Sequence, residues 1–87
     1  MKTYYSVNQC LKTKEKKLHE YDNIEECVKF LEWNGSKFDS FYWMGDMPIY
    51  KNQCLRRQYV IRKYIKNEIG GEIPVQITDE DKSKIKL

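Results

Sequence analysis

Asn52-Gln53-Cys54-Leu55-Arg56-Arg57-Gln58-Tyr59-Val60-Ile61-Arg62-Lys63-Tyr64-Ile65-Lys66-Asn67-Glu68 is the stretch on which the fold turns. It contains every arginine of the chain, Arg56, Arg57 and Arg62. Between Met47 and Asn67 stand six cations (Lys51, Arg56, Arg57, Arg62, Lys63 and Lys66) and no acid. That segment carries +6 in a chain of net charge +3, so the remainder sums to −3. A cationic excess so localised suits a partner that is anionic there, a nucleic acid or an acidic protein surface.

At helical spacing Cys54, Ile61, Ile65 and Ile69 fall on one apolar stripe, with Leu55 and Gln58 beside it. Arg56, Tyr59, Lys63 and Lys66 then share an outward face, while Arg57 and Arg62 flank the stripe. The rival reading is a strand, because Tyr59-Val60-Ile61 is β-prone. Alternation fails on both sides of that trio, and the reading is a helix over 52–68, stopped by Gly70-Gly71.

The residues before this segment read as strand, strand, helix. Thr3, Tyr5 and Val7 alternate with polar positions and lead to Leu11, a half-buried strand. Thr13-Lys14-Glu15-Lys16 connects it to a short returning strand, Leu18 to Tyr21. Asn23 caps a helix with Glu26 at the capping-box position, and Glu25 and Glu26 occupy the first turn, where the dipole favours acids. Ile24, Cys27, Val28 and Leu31 make its apolar face, and Asn34-Gly35 ends it. Phe41-Tyr42-Trp43-Met44, Gly45-Asp46 and Met47-Pro48-Ile49-Tyr50 form a second hairpin, with glycine where a type II′ turn needs it. Pro48 lacks a donor, so its strand is expected at an edge.

After Gly70-Gly71, Ile73, Val75 and Ile77 read as a strand made an edge by Pro74. Thr78-Asp79-Glu80-Asp81 is a helix start, with Lys82, Lys84 and Lys86 at the favourable end. So short a helix frays unless it docks. The expected fold is one α+β domain over 1–78, with a charged tail over 79–87. A small, largely antiparallel sheet of two hairpins is packed by two helices, in the order ββαββα followed by the short strand and the frayed helix.

The chain of 87 residues has no alanine and only two prolines and four glycines, while lysine, isoleucine, tyrosine and asparagine abound. These preferences follow AT-rich codons and point to low-GC bacteria, their phages and their plasmids. Three cysteines (Cys10, Cys27, Cys54) without a Cys-x-x-Cys, and no visible signal peptide, are expected of a cytoplasmic protein in which thiols serve as small hydrophobes.

Chemistry is hard to place. His19 and the cysteines lack zinc spacing, no glycine-rich phosphate loop exists, and the paired acids sit where helix starts want them. The expectation is therefore no catalytic, metal or cofactor site. The expected partner contact is Arg56, Tyr59, Lys63 and Lys66, with Arg57, Arg62 and Lys51 around them. Arginine is used only in this lysine-rich chain's basic segment, and its planar fork suits phosphate and carboxylate. Interleaved tyrosines add stacking or interface anchors. The plain alternative is a solvated face, or one paired with Glu25, Glu26 and Glu32 of the first helix. Trp33, Tyr42, Trp43 and Tyr50 form a second candidate surface, aromatic rather than basic; the plain reading is a central strand covered on both sides for Tyr42 and Trp43, and a ring folded over the following loop for Trp33. Lys12, Lys14, Lys16 and Lys17 are a solvated turn, unless the fold sets them beside the basic segment.

The general look is similar to that of small phage-encoded accessory proteins, anti-CRISPR inhibitors among them, although no motif carries that likeness. The function expected is a non-catalytic phage or mobile-element protein that inhibits a host nucleic-acid-handling complex. A direct DNA- or RNA-binding regulator is the alternative, and a small ribonuclease toxin acting with Arg, Lys and Tyr is a second one.

Overall fold

The basic segment is a strand. The computed structural model describes residues 2–33, 40–45, 47–52 and 56–85, with the backbone alone at Glu32, Trp33, Ser40 and Phe41. The elements in chain order are β1 (Lys2–Cys10), β2 (Glu15–Tyr21), α1 (Ile24–Trp33), β3 (Ser40–Met44), β4 (Met47–Asn52), β5 (Arg57–Lys66), β6 (Glu72–Val75) and α2 (Asp79–Ser83). Every strand pairing is antiparallel, in the order β2-β1-β5-β4-β3. The sheet of six strands closes with β6, which also pairs with β5. β4 takes the first half of β5 (Arg57 to Val60) and β6 takes the second (Lys63 to Lys66), while β1 runs along both.

The helix expected over 52–68 is thus corrected to the central strand of the sheet. Its physical cause is burial on both faces. Tyr59 and Ile61 point into the core beneath α1, and Val60 is equally buried on the opposite face. A strand covered on both sides loses its alternation, which is the signal whose absence favours a helix in the sequence. Ile69, placed on the supposed stripe, is 92% exposed, beyond the end of β5.

The core lies between one sheet face and α1. Tyr5, Val7, Tyr50, Tyr59 and Ile61 meet Ile24, Cys27, Val28 and Leu31, with Ile77 joining from beyond β6. Asn23 caps α1 as its sequence implies, its Oδ1 accepting from the Glu26 amide at 3.0 Å. The Asn34-Gly35 stop lies outside the described residues. Burial pushes the Cys27 thiol up to about 12, as expected of a thiol used as a core hydrophobe.

Pro48 corrects another expectation. β4 is not an edge, since it pairs with both β3 and β5. The proline is tolerated because the β4–β5 ladder begins one residue later, at Ile49. β3 is the edge strand instead. Pro74 does lie on a strand paired on one side only. Gly45 opens the β3–β4 connection at φ +64°, a conformation that favours glycine.

The C-terminal helix is docked. Thr78 caps α2 in a full capping box with Asp81, and Ile85 packs against the core. No helix among the described residues is long and apolar enough to cross a membrane.

Candidate functional site

Strand geometry redistributes the six cations of the basic segment. Successive side chains alternate between faces, so Arg56, Tyr59, Lys63 and Lys66 cannot share one. Tyr59 is 3% exposed and belongs to the core, and so does Tyr50 at 0%. Neither phenol offers a stacking surface to a partner.

Two of the cations are held by acids. Arg62 donates from Nε to Glu15 Oε1 at 3.0 Å and from Nη2 to Oε2, a two-pronged pair across β1. Asn8 Nδ2 donates to the same carboxylate at 3.0 Å. The Arg62 guanidinium holds the Glu15 carboxyl below its ordinary value, and Glu15 raises that of Arg62 in turn. Lys63 donates to Asp81 Oδ2 at 2.8 Å, and Tyr5 OH donates to Asp81 Oδ1 at 2.8 Å. Burial pushes the Tyr5 hydroxyl well up, helped by its bond to the Asp81 carboxylate. Among the described side chains, the acids that neutralise the segment thus come from β2 and α2, not from Glu25 or Glu26 of the first helix.

Lys66 points to the other sheet face, its Nζ 5.9 Å from the Tyr4 ring. That face carries a closed aromatic and ionic array. Tyr4 and Tyr64 stack at 5.2 Å, and Lys17 Nζ sits over both rings at 5.2 and 5.0 Å. Lys17 also donates to Glu20, Tyr4 and Glu72. Burial alone would lower its pKa, but these acceptors outweigh it and raise the value. Lys17 is therefore structural rather than part of a solvated turn.

Lys51, Arg56 and Arg57 remain. All three are exposed, and among the described residues none has an acid within ion-pair distance. With Gln58 they line a surface hollow of about 370 Å³ at the end of β4 and β5. Arg56 holds a left-handed backbone, φ +53°, unusual for a residue with a side chain.

Register shows what adjoins them. Glu15 pairs with Cys10, Cys10 with Gln58, Gln58 with Lys51, and Lys51 with Ser40. One transverse row therefore crosses five strands at this end of the sheet. The β1–β2 connection leaves from the same end, closed by a 2.7 Å bond from the Leu11 amide to the Lys14 carbonyl. Lys12, Lys14 and Lys16 are exposed there, and none is paired with an acid among the described residues. The basic helix beside which they would extend such a surface is absent; the β1–β2 connection instead lies at the same end of the sheet as the start of β5.

The aromatic candidates divide. Tyr42 and Trp43, on the edge strand β3, are 38% and 39% exposed, and Lys82 Nζ lies 5.7 Å from the Trp43 ring. Tyr50 is core, and the side chain of Trp33 lies outside the described residues. His19 is exposed as expected, its ring 4.7 Å from that of Phe30. Among the described residues no three of His, Cys, Asp and Glu converge on a point that could hold a metal.

Comparison with known protein families, curated proteins and solved structures yields no match.

Proposed function

We propose that this chain is a non-catalytic binding protein that engages an anionic macromolecule through Lys51, Arg56 and Arg57. The observation that carries the reading is the division of the basic segment. Arg62 and Lys63 are held by acids of the same chain, whereas these three are exposed with no acid in ion-pair reach among the described residues. Unpaired arginines keep their planar donors available for phosphate or carboxylate.

The setting we propose is the cytoplasm of a low-GC bacterium, with the chain acting as a phage or mobile-element accessory protein. Its role there is inhibition of a host complex that handles nucleic acid. Small size, AT-rich residue usage and a concentrated basic end support this reading. Tyr42 and Trp43, exposed on an edge strand, suit contact with the protein part of such a complex. The ribonuclease reading draws no support from this geometry, because Tyr50 and Tyr59 point into the core.

The test is capture from a low-GC bacterial lysate on the immobilised chain. The wild type is expected to retain a partner that salt releases. Lys51→Glu/Arg56→Glu/Arg57→Glu is expected to lose it. Equal capture by the triple variant would overturn the proposal.

A further inference from the structure

We infer that the basic end of the sheet docks the sugar–phosphate backbone of double-stranded nucleic acid, without sequence preference. Cations from two sides of this end build the dock together. Lys12, Lys14 and Lys16 come from the β1–β2 side, and Lys51, Arg56 and Arg57 from the β4–β5 side. The inference rests on the proposed anionic partner and names its class.

Charge density is the first argument. The row Glu15–Cys10–Gln58–Lys51 spans four neighbouring strands. At about 4.8 Å per strand it is about 15 Å wide. Over that length a single strand offers roughly four phosphates, and a duplex about nine. Only the duplex has phosphates enough for six cations at once. Glu15, the acid within this row, is already engaged by Arg62 and Asn8.

Composition is the second. Lysine is depleted from protein–protein interfaces, whose centres are apolar and aromatic. Here three lysines stand with two arginines and a fourth lysine, and among the described residues the large exposed apolar side chain beside them is Leu11, at 40%. Among the described residues an acidic protein face would find little beyond Leu11 to bury. Phosphate contact needs none, because counterion release supplies the affinity.

The third is that the described residues offer these cations no stacking platform. Single-strand binders lay bases on aromatic rings. Tyr50 and Tyr59, the tyrosines nearest these arginines in sequence, are core residues. Tyr42 and Trp43 are exposed but lie further inward along β3. With no exposed ring among these cations in the described residues, the contact reads charge and not sequence.

Fluorescence anisotropy tests this with three probes. They are a labelled duplex of about 20 base pairs in two unrelated sequences, the matching single strand, and polyglutamate. The duplexes are expected to bind alike, and more tightly than the single strand. Their affinity should fall about 10³-fold between about 50 and 200 mM salt. Lys12→Ala/Lys14→Ala/Lys16→Ala should flatten the log–log salt slope by about 3 without lowering the melting temperature. An unchanged slope in that variant, or a tighter single strand, would overturn the inference. So would tighter binding of polyglutamate. If no nucleic acid binds while lysate capture still requires Lys51, Arg56 and Arg57, this inference falls and the proposed function stands. If capture is lost as well, both fall.

Discussion

The Lys63 ammonium lies 2.8 Å from the carboxylate of Asp81, 18 residues further along the chain. That contact withdraws Lys63 from the surface and fastens α2 to the centre of the sheet. Asp81 also accepts from the Tyr5 and Thr78 hydroxyls. A short helix that would fray alone is held by one buried carboxylate.

Acid should release this latch. Burial raises the Asp81 pKa, but the bonds from Lys63, Tyr5 and Thr78 outweigh it and hold the group at about 2. In the unfolded chain an aspartate titrates near about 3.9. Its folded value is the lower one, so the stabilisation is complete above about pH 4 and drains as pH falls through about 2. About 2 kcal/mol is involved. Urea unfolding across this range should show that acid limb, and Asp81→Asn should level it.

Lys63→Met leaves the Asp81 carboxylate buried without its cation, and the expected loss is about 3 kcal/mol at neutral pH. Chemical denaturation measures it. The double variant Lys63→Met/Asp81→Leu should recover much of the loss, because an apolar pair replaces a stranded charge.

Ile61→Ala tests how tightly β5 is packed. Ile61 is fully buried on β5, opposite Val7 of β1. The truncation should cost about 3 to 4 kcal/mol. Hydrogen exchange should find the amides of β5 among the slowest, because β5 pairs on both edges.

Much of this fold is legible locally. The Asn23 cap, the Thr78 capping box and both flanking hairpins are written within a few residues of where they act. What is not legible is set by distant partners. Val60 and Lys63 break the alternation of β5, because one is buried on the far face and the other is neutralised by Asp81, 18 residues later. Nothing near Lys63 announces Asp81 or Tyr5. The site divides in the same way. That Arg56 and Arg57 are exposed while Lys63 is not follows from the sheet, but Lys12, Lys14 and Lys16 were detectable as a charged turn awaiting a neighbour.

Arg56 separates binding from stability in one residue. Its left-handed backbone, φ +53°, costs an L residue about 1 kcal/mol. Arg56→Gly should therefore melt no lower than the wild type, and up to about 1 kcal/mol higher in stability. Partner affinity should fall in the same protein, as measured by anisotropy or lysate capture.

Arg57 and Arg62 lie on one strand, one exposed with no acid beside it among the described residues and the other clasped by Glu15. Measuring partner affinity and unfolding free energy for Arg57→Ala and Arg62→Ala side by side tests the division most directly. The prediction is that Arg57→Ala weakens binding with stability unchanged. Arg62→Ala should lose about 1 kcal/mol of stability and keep most of its affinity. Binding lost in Arg62→Ala and untouched in Arg57→Ala would contradict the account.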